Sequence, residues 1–353
     1  MEKRKKENRF IDLAEYKNPL TPFQYFIGGR GIGKTYSAQK ECLGLSSIYN
    51  CAGKFFWWRR TLAEWENFSA SDPFKTINND FNKNMGVQNI SKILGGVYHR
   101  EDVEGKQQCV GSPIGYTAPM LNVGKMRSLD FSDVTDIFYD EFIPEEHFKA
   151  VRGEANAFFN AYETVNRNRE FFKKPPVNVV CMSNSENIYN PIFAELGIID
   201  DVEKMIAAGK QHKYYTDRAF SVHLLKSPAE FMSLKSKTAL YKMTLGTNYA
   251  EMALNNTFVA NDFSFVKHRS ITGFVPWLAF GGIYLWSKKG TSELYATYTP
   301  ARCKKYNPKI PADCIAFRKE ARLYVEGRYI NGLITFETFS IKTILLDVLK
   351  IGE

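Results

Sequence analysis

Phe26-Ile27-Gly28-Gly29-Arg30-Gly31-Ile32-Gly33-Lys34-Thr35 is the stretch on which the reading of this chain turns. From Gly28 to Thr35 it fits G-x-x-x-x-G-K-[ST], and each position has a physical reason. Gly28, Gly29, Gly31 and Gly33 let backbone N–H groups turn inward and approach phosphate oxygens. Arg30 and Ile32 complete the loop that wraps the anion. Lys34 is a point charge for the β- and γ-phosphates, and the Thr35 hydroxyl suits Mg²⁺. A helix starting at the loop would present its positive end to the same anion. The flanks agree: Phe23–Ile27 is a β-like apolar run and Thr35–Leu43 is helix-compatible. The expected ligands are ATP and Mg²⁺.

Outward from the loop, strand-like and helix-like segments alternate. Lys54–Trp58, Val134–Tyr139 and Val177–Met182 are β-rich runs, Leu62–Asn67 starts a helix, and Glu154–Val165 is helical in pattern. Such alternation argues for an α/β fold with a parallel sheet, here the ASCE/RecA-like P-loop NTPase arrangement. The pattern changes after about residue 200. Asp200–Lys210 looks helical, residues 211–245 mix charge, Ser and Lys without a period, and short aromatic strands broken by Gly, Asn and Pro follow. The expected division is a P-loop ATPase domain over 1–205, a linker region over 206–245 and a smaller domain over 246–353.

Val134-Thr135-Asp136-Ile137-Phe138-Tyr139-Asp140-Glu141 ends an apolar strand in two carboxylates, which a parallel sheet places at its ligand-binding edge. Asp140 is expected to hold Mg²⁺ through water, and Glu141 to orient and polarise the attacking water. A guanine switch orients water by a Gln elsewhere and reads its base with N-K-x-D. Asn82-Lys83-Asn84-Met85 lacks the Asp and precedes the acidic strand, so that class is rejected. Asn184, at the tip of the strand Val177–Met182, is a candidate sensor of the γ-phosphate. Arginine fingers are less determined. Arg167 and Arg169 follow a helix-compatible stretch, Arg59-Arg60 closes a strand at the same edge, and Lys125 and Arg127 feed the acidic strand. Spacing does not choose among them for phosphate or DNA.

Composition bounds the rest. A length of 353 residues suggests two domains, and 44% apolar content is enough for ordinary cores. The 27 Phe and 19 Tyr fit strand content. A formal net charge of +9 favours a polyanionic partner. The six cysteines form no CxxC pair and no metal spacing with the five histidines, so buried free thiols rather than a zinc site are expected. Met1 to Asn8 has no apolar core of a secretory signal. Charge-free Ser270–Ser287, with Pro276 and Gly281-Gly282, reads as strand–turn–strand rather than a membrane span. A soluble, cytoplasmic protein is expected.

The phosphate loop, Trp58-Arg59-Arg60, Tyr139-Asp140-Glu141-Phe142-Ile143, Arg167-Asn168-Arg169-Glu170, Ser183-Asn184 and Asn190-Pro191 together resemble the DNA-packaging motor ATPases of phi29-like small tailed phages. Tyr249-Ala250-Glu251-Met252 is similar to the start of that family's C-terminal domain. Order and rough spacing match over most of the chain, specifically in the first half and loosely in the last hundred residues. The resemblance implies a homomeric ring, commonly a pentamer, at the capsid portal or connector, acting in the host cytoplasm and transiently at the procapsid vertex. It implies ATP hydrolysis driving double-stranded DNA inside, with a structural packaging RNA in the best-known member and no membrane. It also implies Lys34 and Thr35 as phosphate and Mg²⁺ ligands, Arg167 as the preferred trans-acting finger, Arg127 and then Lys125 as second trans-acting candidates, and Asn184 as sensor.

That family's C-terminal domain is RNase H-like, α+β, with the metal ligands lost. Here the acids Glu251, Asp262, Glu293, Asp313 and Glu320 are scattered, whereas a two-metal nuclease needs them to converge. Bases are plentiful: Lys267, Arg269, Lys288, Lys289, Arg302, Lys304, Lys305, Arg318, Lys319, Arg322 and Arg328. Backbone binding without cleavage is the expectation. A terminase with a live nuclease, a nucleotide-dependent nucleic-acid scaffold and a ring helicase are the rival readings.

Overall fold

A run such as Lys54-Phe55-Phe56-Trp57-Trp58-Arg59 has no alternation because both of its faces are buried, and this requires a central strand in a sheet covered on both sides. The computed structural model, which describes residues 10–144, 153–185, 188–247, 250 and 263–351, has that sheet. Its nine strands are β1 (Phe23–Gly28), β2 (Lys54–Arg59), β3 (Met85–Asn89), β4 (Gly95–Val103), β5 (Lys106–Pro119), β6 (Val134–Asp140), β7 (Asn178–Asn184), β8 (His212–Tyr215) and β9 (Phe220–Leu225). They run in the order β3-β4-β5-β2-β6-β7-β1-β9-β8. The six strands from β5 to β9 in that order pair in parallel, and antiparallel strands close both edges.

Phe55, Phe56, Trp57 and Trp58 are fully buried. Trp57 stacks between Phe68 and Phe138, and Trp58 meets Phe158 edge-on. These large apolar side chains fix the helices on the sheet. Leu62–Ala70 begins with a capping box: the Glu64 N–H donates to the Thr61 hydroxyl, and Glu64 accepts from the Thr61 N–H. Glu154–Asn166 is tied to β2 through Arg60, whose guanidinium donates to both Glu154 oxygens at 2.7 and 3.0 Å. Arg60 is therefore buried inside the protein, and the expectation that it reaches phosphate or DNA is corrected.

The chain divides into two compact units: residues 1–195 with 205–260, and 196–204 with 261–353. The linker reading of 206–245 is also corrected, because β8 and β9 belong to the large sheet and short helices, Ala229–Lys235 and Ala239–Met243, follow them. The signal was hidden because β9 is buried along its whole length, while β8 is a short edge strand.

The second unit has its own sheet: β10 (Phe274–Phe280), β11 (Ile283–Lys288), β12 (Leu294–Thr297), β13 (Lys304–Tyr306) and β14 (Ile334–Phe336), in the order β13-β10-β11-β12-β14. The charge-free Ser270–Ser287 holds the β10–β11 hairpin, turning at Gly281-Gly282 with φ of +58° and +89°. Two helices that the sequence reading did not foresee, Pro311–Ile330 and Phe339–Leu349, bury Phe317, Ala321, Val325 and Leu345 against this sheet. Tyr249, Glu251, Met252 and Asp262 lie outside the described residues. All six cysteines are free, but only Cys42 and Cys181 are buried; the other four are partly exposed, contrary to the expectation of buried thiols. No helix among the described residues is long and apolar enough to cross a membrane.

Candidate functional site

β1 delivers the loop Gly29–Gly33 to the carboxyl edge of the sheet, and the helix Lys34–Cys42 leaves from it. Gly33 adopts φ +101°, and a Cβ there would lie 2.7 Å from Phe10 Cβ, so glycine is required on both counts. At Gly28 a Cβ would meet Ile32 and Leu225 at 2.7 and 2.9 Å. Phe10 and Leu225 of β9 thus crowd the glycines at the two ends of the loop.

The register of three neighbouring strands brings the rest. β7 places Asn184 beside Gly28, and β6 ends at Asp140 beside Met182. Lys34 Nζ donates to the Gly28 and Gly29 carbonyls at 2.8 and 2.9 Å and to Asn184 Oδ1 at 3.2 Å. Thr35 Oγ1 lies 3.3 Å from both Asp140 oxygens. Glu141 turns off the strand end with φ +59°, a left-handed conformation that non-glycine residues hold where surrounding structure dictates it. Arg59, at the end of β2, reaches Asp140 Oδ2 at 3.1 Å and pairs with Glu141. A cavity of about 1550 Å³ opens here, and its lining includes Arg30, Gly31, Gly33, Lys34, Thr35, Asp140, Glu141, Ser183 and Asn184.

Burial sets the electrostatics. It pushes the Lys34 ammonium down to about 7, opposed by Asp140, and it raises the Asp140 carboxyl above its ordinary value, opposed by Arg59. A phosphate beside Lys34 would favour its charged form. The Thr35 hydroxyl and the Asp140 carboxylate form a hard-oxygen pair, the donor chemistry that Mg²⁺ takes alongside phosphate oxygens and water.

The structure does not bring Lys125, Arg127 or Arg167 to this cavity. Arg167, at φ +45° after the helix Glu154–Asn166, donates to the carbonyls of Arg127 (2.6 Å), Leu129 and Thr164. Arg167 and Arg127 therefore share one exposed loop cluster away from the cavity of their own chain. Arg169 is tied to Val134, Ser132 and Pro175 carbonyls. Arg59 was among the basic candidates, but its contact with both carboxylates was not foreseen; its position at the tip of a strand next to β6 was the available signal.

Among the described residues of the second unit, no group of three metal-binding side chains occurs. Glu293 pairs with Arg269 and Lys288, Glu320 pairs with Lys304, and Asp313 accepts from the Asn307 N–H. With Arg322 beside Glu326, four of the bases read as available for a polyanion are thus matched by local carboxylates.

Comparison with known proteins adds kinship to this geometry. Residues 16–306 match the family model described as Podovirus DNA encapsidation protein (Gp16). The DNA packaging protein of Bacillus phage B103 is 29% identical over 346 residues, covering 92% of this chain and 96% of that protein. That of Bacillus phage PZA is 26% identical over 268 residues, covering 74% and 71%. The bacteriophage Phi-29 viral genome packaging motor assembly contains a chain of the same fold, with TM-score 0.67, 22% identity and coverage of 97% and 99%.

Proposed function

This chain belongs to the podovirus DNA encapsidation protein family, and we propose that it is the ATP-hydrolysing motor of phage DNA packaging, drawing double-stranded DNA into a preformed capsid. The observation that carries the reading is the convergence of Lys34, Thr35, Asp140, Glu141 and Asn184 on one cavity at the carboxyl edge of a parallel sheet. In this reading Lys34 and the loop amides hold the phosphates. Thr35 and Asp140 would hold Mg²⁺, which supplies neutralisation of charge on the transferring phosphoryl group. Glu141 orients the attacking water, Arg59 holds the acidic pair in register, and Asn184 links the phosphate-binding lysine to the tip of β7.

Arg167, with Arg127 beside it and Lys125 as the further candidate, acts on a neighbouring copy's nucleotide. The support is its exposed position away from its own cavity. Function then requires a closed ring, for which a pentamer at the portal vertex in the host cytoplasm, with or without a structural RNA, is the proposed form. The second unit is proposed as a nuclease-like domain that grips the sugar–phosphate backbone without cutting it, on the support of its dispersed, paired acids. Grip on phosphates rather than bases suits a motor that must move any sequence.

Steady-state phosphate release with and without double-stranded DNA tests the proposal. Glu141→Gln is expected to bind ATP as wild type does and to lose turnover by at least about a hundredfold. Arg167→Ala alone is expected to lose about a thousandfold. Mixing the two variants should recover turnover that neither has alone, because one copy then supplies the glutamate and another the arginine. Near wild-type turnover by Glu141→Gln would overturn the role of that residue, and no recovery on mixing would overturn the shared site.

A further inference from the structure

The helix Ala229–Lys235 lies in the stretch whose sequence has no period, and it packs on the phosphate loop. Lys235 Nζ donates to the Arg30 carbonyl. A Cβ on Gly31 would lie 3.3 Å from that ammonium and 3.6 Å from the Phe231 ring. The ammonium also sits 4.7 Å from the centroid of Phe231 and 5.0 Å from that of Tyr241. Phe231 in turn meets Phe10, with ring centroids 6.2 Å apart, and Phe10 fills the space that a side chain at Gly33 would need. A single layer, Lys235–Phe231–Phe10, thus backs two of the four loop glycines.

A trans peptide is planar, with its C=O and N–H pointing opposite ways. A hydrogen bond that fixes the Arg30 carbonyl therefore also fixes the direction of the Gly31 N–H, one of the loop amides. The cation-π contacts with two rings give the lysine a fixed seat from which to do this. Its charge is also felt at the site, since Lys235 and Arg30 are among the groups that lower the Lys34 ammonium. A polyphosphate between them relieves that mutual repulsion.

We propose that Lys235 is a positioning residue of the nucleotide site: by bonding the Arg30 carbonyl it presets the loop for polyphosphate, and it couples the helix Ala229–Lys235 to nucleotide occupancy. The inference rests on the ATP-site reading above and extends it to a residue outside the loop motif. It identifies the ligand only as the di- or triphosphate moiety, so ADP and ATP are both affected.

The test uses the full chain and measures equilibrium binding of ATP and ADP together with kcat and KM for hydrolysis. Lys235→Met keeps the apolar stem between the rings and removes the charge. It is expected to weaken both nucleotides and raise KM about tenfold, the size of a charge-assisted hydrogen bond at a partly exposed site, with kcat within about twofold. Lys235→Arg restores the donor and charge and is expected to stay within about threefold of wild type. Wild-type affinity in Lys235→Met overturns the proposal, and so does an Arg variant as weak as the Met variant, which would assign the effect to packing alone. Lys34→Met serves as the reference: if it binds nucleotide as well as wild type, the ATP-site reading itself fails, whatever Lys235 does.

Discussion

The two edges of the large sheet carry nearly the same set of side chains. At the carboxyl edge stand Lys34, Asp140, Thr35 and Asn184; at the opposite edge stand Lys17, Asp136, Thr135 and Asn178. One strand, β6, carries both aspartates, and one helix carries Lys34 at its start and Glu41 near its end. At the lower edge the groups contact one another. Asp136 accepts from Tyr49 at 2.6 Å, Thr135 at 2.7 Å and Asn178 at 3.2 Å, while Lys17 sits 3.2 Å from Glu41 and over the Tyr49 ring. At the upper edge Thr35 stands 3.3 Å from Asp140, Lys34 rests on loop carbonyls, and a large cavity opens beside them. Residue type does not distinguish scaffold from site. The cavity that opens beside the phosphate loop does.

The sharpest way to break this comparison is to remove the lysine from each edge. Lys34→Met is expected to lose ATP affinity by at least about a hundredfold, as a buried charge-to-phosphate contact disappears. Its melting midpoint should hold or rise, because burial already opposes that charge in the absence of nucleotide. Lys17→Met should do the reverse. Above pH 7, where Glu41 is ionised, it leaves Glu41 and Asp136 buried without their cation, a loss of about 3 kcal/mol. The folded fraction should bind ATP as wild type does. Calorimetric melts and nucleotide titration of both variants decide it, and a Lys17→Met protein that keeps its stability but loses ATP would collapse the distinction.

Sequence made one edge legible and not the other for a physical reason. The upper edge is built from a contiguous loop, where glycine spacing is dictated by backbone approach to phosphate, and from a strand whose apolar run stops at two carboxylates. Both leave local patterns. The lower cluster joins residues 17, 41, 49, 135, 136 and 178, which only the parallel register brings together. Lys235 escaped for the same reason, since nothing near it in sequence reports that its helix packs on Arg30 and Gly31. Among strands, β1, β2, β6 and β7 stood out as apolar runs, whereas the β3–β4–β5 hairpins carry exposed polar residues toward their free ends and gave no signal. In the second unit the glycine turn of β10–β11 was readable. The helix Pro311–Ile330 was not, because Ile315, Leu323 and Ile330 are exposed and blur its apolar stripe.

The smallest expected effect compares the edges by pH. Burial raises Glu41 from its usual 4.5 to about 7 and lowers Lys34 from 10.5 to about 7. Between pH 4.5 and 7 the folded protein holds a proton on Glu41 that the unfolded chain has released, so this group makes stability fall as pH rises. Between pH 7 and 10.5 the unfolded chain holds a proton on Lys34 that the folded protein lacks, so this group makes stability rise with pH. The two edges therefore contribute opposite slopes that meet near pH 7. Denaturant titrations across both windows, without nucleotide, should find that Glu41→Gln flattens only the acidic limb and Lys34→Met only the alkaline one. ATP should erase the alkaline slope in the wild type, because a polyphosphate beside Lys34 returns its proton. A Glu41→Gln protein with an unchanged acidic limb would mean that Lys17 holds that carboxylate charged, and the lower edge would then be an ion-pair network throughout.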